Sequence, residues 1–266
     1  VRNIVKLRIL GVDVYYDSYK ALSNIEFEAC PGEFIALLGP NGSGKTTLLK
    51  TIARVLKPRR GVIYIDGRRA DELSDNEYAK IVGFLPSSDI SAIVRVPMKV
   101  VEVVAIGRKP YVTWSLTKTD LEKIWSAMKI TGVEAFAFRV INELSSGERQ
   151  RVMLARVLAQ ESEVLLLDEP VSHLDPRYQV LMLKLIRGLT KDRKLVTIAS
   201  LHDINLALRF SDKVILMKNG RIFAMGTPEE VITAENISKV YGVKAVVIKN
   251  PHPVVLIEDV IEGESL

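Results

Sequence analysis

Phe34-Ile35-Ala36-Leu37-Leu38-Gly39-Pro40-Asn41-Gly42-Ser43-Gly44-Lys45-Thr46-Thr47 is the stretch whose reading decides the fold. A compact apolar run ends at Gly39, a glycine-rich turn follows, and Thr46 to Leu56 has helical spacing. Gly39 to Thr46 match the whole phosphate-loop pattern, and they stand between a predicted strand and a predicted helix, the context that gives the pattern its force. Glycines let the backbone curl so that successive N–H groups and the helix start face a phosphate. In this reading Lys45 reaches the β- and γ-phosphates of ATP and Thr46 offers its hydroxyl to magnesium. The candidate nucleotide-binding set is therefore Gly39, Pro40, Asn41, Gly42, Ser43, Gly44, Lys45, Thr46 and Thr47. A purely structural glycine turn would need neither the lysine nor the hydroxyl. The loop alone does not identify a family.

Val164-Leu165-Leu166-Leu167-Asp168-Glu169 supplies the second half of such a site, a buried strand that delivers carboxylates to the same crevice. Asp168 is predicted to hold magnesium, directly or through water. Glu169 can polarise the water that attacks the γ-phosphate. An isolated acidic pair at a strand end is more often simply solvated; beside a full phosphate loop the catalytic reading prevails. His202 follows the predicted strand Leu195 to Ser200, which places it on the same sheet edge. Its neutral imidazole could bond the γ-phosphate or the attacking water.

The rest of the chain agrees with a nucleotide-binding α/β protein. Strands are predicted at 4–9, 12–16, 61–66 and 81–85, the last two assigned to a small β-rich lobe. Apolar residues recur at helical spacing from Pro97 to Phe138, with breaks at Gly107 to Pro110 and near Gly132, as in an insert of short helices. Further helices are expected at 149–160, 179–189, 205–210 and 228–240. Strands are expected at 164–167, 195–200 and 214–218, with a turn at Asn219-Gly220 leading to an edge hairpin. Two last strands, 245–248 and 254–257, join across Pro251 to Pro253. This βα alternation predicts a mostly parallel sheet covered on both faces by helices.

Composition sets the limits. The 266 residues, 48% hydrophobic and 26% charged, suffice for one good core and at most two. The 37 basic against 32 acidic residues give a charge of +5, a weak hint of an anionic ligand or membrane surface. With Cys30 alone, an intramolecular disulfide is impossible and a reducing compartment is compatible. Arg8 and Asp13 interrupt the first hydrophobic run, so secretion is not expected. No apolar run approaches the roughly 20 residues that cross a bilayer. Any membrane association is expected to run through a partner.

Leu144-Ser145-Ser146-Gly147-Glu148, followed by Arg149-Gln150-Arg151, resembles the signature sequence of ATP-binding cassette (ABC) ATPases, and the order of all the motifs agrees. The resemblance covers almost the whole chain. It implies an α/β P-loop NTPase of ABC type, with a mostly parallel core, an antiparallel β lobe and a helical insert. The corresponding division is 1–96 for core and lobe, 97–143 for the helical subdomain, 144–228 for the rest of the core and 229–266 for a short C-terminal extension. It also implies a head-to-tail homodimer, in which Ser145, the Gly147 N–H and the following helix start cap the nucleotide held by the partner. By the same resemblance Tyr16 stacks on adenine, and Ser172-His173-Leu174-Asp175 crosses the dimer interface, although Asp175 before Pro176 also reads as an ordinary turn. Where the family usually has a glutamine that touches magnesium, this chain reads Pro86-Ser87-Ser88; Ser87 is the positional match and a candidate metal ligand.

Two stretches narrow the resemblance to ATPase subunits of importers for iron-siderophore, haem, cobalamin and related metal chelates: Val100 to Tyr111, ending Gly107-Arg108-Lys109-Pro110-Tyr111, and Asn236 to Val243. The implied partners are a second copy of the chain, an integral membrane permease dimer and, indirectly, an extracytoplasmic substrate-binding protein, with no nucleic acid. The implied location is the cytoplasmic face of the plasma membrane. The alternatives are an ABC ATPase of a non-transport system such as iron-sulfur cluster assembly, or an importer for another small solute.

Overall fold

The computed structural model describes residues 6–87, 97–172, 174–249 and 253–261. The first part contains β1 (Leu7–Tyr16), β2 (Tyr19–Ala29), β3 (Phe34–Leu38), α1 (Lys45–Ile52), β4 (Arg60–Ile65), β5 (Arg68–Arg69), α2 (Asp75–Ile81) and β6 (Val82–Leu85). Then come α3 (Val100–Ala105), a 3-10 turn (Ile106–Tyr111), α4 (Lys118–Thr131), α5 (Ser146–Ala159), β7 (Val164–Asp168), α6 (Pro176–Asp192), β8 (Val196–Ser200) and α7 (Ile204–Phe210). The last part contains β9 (Lys213–Lys218), β10 (Arg221–Gly226), α8 (Pro228–Val231), α9 (Ala234–Tyr241), β11 (Val243–Ile248) and β12 (Val254–Val260).

The central sheet has the order β10-β9-β3-β8-β7-β6 and is parallel except for β10, which returns antiparallel beside β9. Strands β3, β7 and β8 are buried along their whole length, as expected of parallel strands covered on both faces. Alternation along β3 divides the core. Phe34, Ala36 and Leu38 join the layer formed with α5, α6 and the insert, whereas Ile35 and Leu37 face Leu48, Leu49 and Ile52 of α1 and the antiparallel lobe. That lobe is a sheet of order β2-β1-β4-β5. One face of the core thus carries the helices together with the β11-β12 hairpin, whose Ala245 and Val255 are buried in that layer, and the other carries α1 and the antiparallel lobe.

Four local outcomes differ from the sequence reading. Strand β2, not anticipated, pairs with β1 through a register shift at Asn24, whose positive φ of 51° interrupts the alternation between Leu22 and Ile25. Helix α2 was also missed, although Ser74 and Glu77 form a reciprocal capping box at its start. Strand β6 lies not in the lobe but parallel to β7. Gly83 permits this, because a Cβ there would meet Ser162 Oγ at 2.4 Å. The helix expected over 228–240 is two pieces: the first ends at Ile232, and Thr233 caps the next, accepting from the Asn236 N–H at 3.1 Å.

The helical insert closes at its base. Lys99 and Val140 form an antiparallel bridge, and the Ile141 N–H donates to Met98 O at 2.9 Å. Gly132 ends α4 in the left-handed conformation at φ 65°. Gly107 lets the 3-10 turn approach α5, since a Cβ there would lie 2.0 Å from Arg156 O. Arg108, beside it and 4% exposed, bonds Asp120 at 2.9 Å and the Ala159 carbonyl at the end of α5 at 2.8 Å. Among the described residues no helix is long and apolar enough to cross a membrane.

Candidate functional site

The loop from Gly39 to Gly44 joins the carboxyl end of β3 to the start of α1. Its bend needs glycine: Gly39 adopts φ 145°, where a Cβ would also lie 2.3 Å from Met217 O, and Gly44 adopts φ 104°. Helix α1 begins without a side-chain cap and with no acidic residue in its first turn. Its first N–H groups and the positive end of its dipole are left to an external anion. Ser43 is 2% exposed, yet its hydroxyl has no hydrogen-bond partner. A buried hydroxyl without a partner costs free energy, so this cradle fits a ligand rich in acceptor oxygens. The groove, about 280 Å³, is lined by the loop, Lys45 to Thr47, Glu169, Ala21 and the aromatic pair Tyr16 and Tyr19. None of Leu144 to Glu148 lines it.

Lys45 folds back on its own loop, donating from Nζ to the carbonyls of Gly39 at 2.6 Å and Pro40 at 3.0 Å. Burial pushes its pKa below the ordinary lysine value, opposed by the charges of Glu169 and Asp168. Thr46 Oγ1 donates to Asp168 Oδ1 at 3.1 Å. Ser87 Oγ donates to Asp168 Oδ2 at 3.1 Å. A third hydroxyl, Ser200 Oγ, donates to Oδ1 at 2.8 Å. Asp168 is thus a buried carboxylate, 1% exposed, held by three hydroxyls and set beside the phosphate cradle. This all-oxygen set fits magnesium, which favours oxygen ligands and usually reaches proteins with phosphates.

Glu169 leaves the strand with φ 53°, in the left-handed region. Its N–H donates to Ser200 Oγ at 2.8 Å, and its carbonyl accepts from Ser172 Oγ at 3.2 Å and Gln150 Nε2 at 3.4 Å. Its carboxylate pairs with His202 Nε2 at 2.8 Å. Sequence reasoning placed His202 at this edge; the structure joins it to Glu169 directly.

The signature segment stands at the start of α5. Ser145 and Glu148 form a reciprocal capping box, with the Ser145 N–H donating to Glu148 Oε2 at 2.8 Å and the Glu148 N–H to Ser145 Oγ at 3.3 Å. Ser145 and Ser146 are exposed, Leu144 is buried, and a Cβ on Gly147 would meet Leu174 at 3.1 Å. Leu174 is buried beneath the signature, and Asp175 caps α6 by accepting from the Tyr178 N–H at 3.1 Å. Within one chain, Ser145 and Asp175 thus serve as the N-caps of α5 and α6. His173 lies outside the described residues.

Three contributors escaped the sequence. Ser200 and Gln150 grip Glu169, and Tyr241 of α9 accepts the Gly39 N–H at 2.8 Å through its hydroxyl. Burial raises the Tyr241 phenol to about 12, so it stays protonated at neutral pH. For Ser200 the available signal was a hydroxyl at the end of the apolar strand Val196 to Ser200; for Tyr241 there was none.

A glycine loop at the carboxyl end of a parallel strand, with an acidic pair from the strand two places away in the sheet, defines a P-loop nucleotide-binding protein. Comparison with known proteins narrows the class. The ABC transporter family matches residues 22–172, more than half of the chain. An ABC transporter ATP-binding protein of Methanocaldococcus jannaschii is 43% identical over 243 residues, covering 91% of this chain and 94% of its own. The ferric enterobactin transport ATP-binding protein FepC of Escherichia coli is 36% identical over 253 residues, 94% of this chain and 92% of its own. Among solved structures, a dimeric ABC transporter cassette bound to ADP and phosphate superposes with a TM-score of 0.73 at 28% identity, covering 84% of this chain and 98% of its own. This chain belongs to the ABC transporter family as an ATP-binding, ATPase subunit.

Proposed function

We propose that the chain hydrolyses ATP as a head-to-tail homodimer and thereby drives a membrane permease that imports a metal chelate: an iron-siderophore, haem or cobalamin. One observation carries the hydrolytic reading: the phosphate loop and Glu169 line one groove, with Asp168 bonded to Thr46 and His202 to Glu169 at its edge, and none of the same chain's signature residues lines it. A second copy would supply Ser145 and the start of α5. The relatives support the cargo. Besides FepC, the relative from Bacillus anthracis is named for petrobactin import, and one from Halobacterium salinarum, 34% identical over 92% of this chain and 61% of its own, is named for cobalamin import.

In this reading Lys45 exchanges the carbonyls of Gly39 and Pro40 for phosphate oxygens, and Tyr16 stacks on the base. Magnesium would be held by Thr46, Asp168 and Ser87, and would neutralise charge on the phosphates. Glu169 accepts the proton of the attacking water as its oxygen bonds the γ-phosphorus and the bond from that phosphorus to the β–γ bridging oxygen breaks, releasing ADP and phosphate. His202 holds that carboxylate in place. Ser172, His173, Leu174 and Asp175 lie at the dimer contact. The insert meets the permease, which fits its exposed Tyr111, Trp114, Trp125 and Phe138. The chain would then sit at the cytoplasmic face of the membrane.

The test is Glu169→Gln, which keeps the size and removes the base. ATP binding is expected to persist while turnover falls by ~10²–10⁴, and ATP with magnesium is expected to trap a dimer. Single-turnover hydrolysis and size in solution report both. Wild-type turnover in the variant would overturn the assignment.

A further inference from the structure

We propose that Ser200 is a positioning residue for hydrolysis: its one hydroxyl fixes the magnesium-facing carboxylate of Asp168 and the main chain of Glu169 relative to each other. The inference rests on the roles proposed above for those two residues. Ser200 ends β8, which lies between β3 and β7, and its register partners are Leu37 on one side and Asp168 on the other. It is fully buried. Its neighbours Ile198, Ala199 and Leu201 are buried and apolar, so a hydroxyl here is costly unless it is fully bonded.

Both of its bonding capacities are used, and chemistry fixes their direction. The backbone N–H of Glu169 can only donate, and an ionised Asp168 carboxylate can only accept. The single Ser200 proton therefore points to Asp168 Oδ1, and a lone pair takes the Glu169 N–H, both at 2.8 Å. Thr46 shares Oδ1 and Ser87 holds Oδ2, so Ser200 selects which lone pairs of Asp168 remain open. Glu169 turns off the strand line at φ 53°, and Ser200 receives the N–H freed by that turn. One side chain thus sets the angle between the metal site and the base.

A residue that merely filled the core would affect stability alone, so the measurements separate metal use and chemistry from folding. In Ser200→Ala, the magnesium concentration for half-maximal hydrolysis should rise severalfold and single-turnover kcat should fall roughly tenfold, the scale of one lost buried hydrogen bond. Nucleotide affinity measured without metal should stay within about twofold of wild type. Ser200→Thr, which restores the hydroxyl, should recover most of both losses. Should the alanine variant fail to fold, Ser200→Cys fills the site with a slightly larger side chain that is only a weak donor and should show the same two shifts. In a Glu169→Gln background the kcat effect of Ser200→Ala should largely vanish, because the two act through one group. Unchanged metal dependence and kcat in the folded variant, failure of threonine to rescue, or an equal kcat loss without Glu169 would each overturn the proposal. A silent Ser200→Ala beside an inactive Glu169→Gln removes only this inference, whereas a fully active Glu169→Gln removes the hydrolytic reading itself.

Discussion

By the resemblance to cassette ATPases Ser87 takes the place of a glutamine, and its hydroxyl reaches Asp168 Oδ2 at 3.1 Å. Serine keeps an oxygen for magnesium but lacks the amide donor and two bonds of reach. Ser87→Ala is therefore expected to raise the magnesium concentration for half-maximal hydrolysis more than it weakens metal-free nucleotide binding, and Ser87→Gln to lower it. Magnesium titrations at saturating ATP decide this, and three superimposable curves would deny Ser87 a metal role. Ser88 lies outside the described residues, and an equal effect of Ser88→Ala would move the assignment by one position. Lys45→Ala should instead weaken nucleotide binding itself, because it removes the buried cation beside the cradle; normal affinity in that variant would count against its phosphate role. The loop, Asp168 and Glu169 were legible because each motif is contiguous and its chemistry follows from residue type. Ser200 was not, because it meets Asp168 only through the register of β7 and β8, 32 positions away in the chain.

At the scale of elements, buried polar ties hold the insert and the C-terminal extension to the core. Asp120, in the first turn of α4, is held down to about 2 by the Thr117 hydroxyl and N–H, with Arg108, which ties the insert to the Ala159 carbonyl of α5, adding to the effect. An unfolded aspartate titrates near ~3.9, so its folded value is depressed. Its stabilisation is complete above that unfolded value and is lost as pH falls towards the folded one. Asp120→Asn should therefore flatten the fall in melting temperature between about pH 4 and pH 2; an unchanged slope would show that this carboxylate does not govern acid unfolding. Tyr241 makes the second tie, from α9 to Gly39. Asn205, three residues beyond His202, makes a third by exchanging two hydrogen bonds with the backbone of Val255 in β12. Tyr241→Phe leaves the Gly39 N–H without its acceptor and should cost about 1–3 kcal/mol of stability. Thermal melts with and without ATP would show whether the loop has also lost nucleotide affinity. Most helices were readable from apolar spacing, α2 and the break at 232–233 excepted, but the ties were not, because they join residues up to 202 positions apart. Strand β2 was hidden for a local reason, the bulge at Asn24 that breaks its alternation.

For the whole molecule, the arrangement of parts carries the last prediction. The phosphate cradle opens beside Tyr16 and Tyr19, while the signature serines are exposed elsewhere on the same chain. Gln150 of α5 also holds the Glu169 and Pro170 carbonyls, at 3.4 and 3.1 Å. A shift of α5 thus reaches the end of β7 within the same chain. The insert packs on that same helix, and Arg108 fastens its 3-10 turn to the last turn of α5. Trp114, 96% exposed, stands on the insert away from the groove. Under the proposed function a permease pressing on the insert would move α5, and α5 would act on both the signature and Glu169. The protein alone is therefore expected to hydrolyse ATP slowly, and a matching permease in vesicles should make the rate respond to binding protein loaded with siderophore, haem or cobalamin. Trp114→Ser should leave the basal rate unchanged and reduce that stimulation, because it alters only the outer surface of the insert. ATPase rates in proteoliposomes, with empty and loaded binding protein, measure both effects. A permease that moved sugars or amino acids and rejected every metal chelate would refute the cargo and leave the ATPase standing. Stimulation undiminished by Trp114→Ser would place the permease contact on another surface.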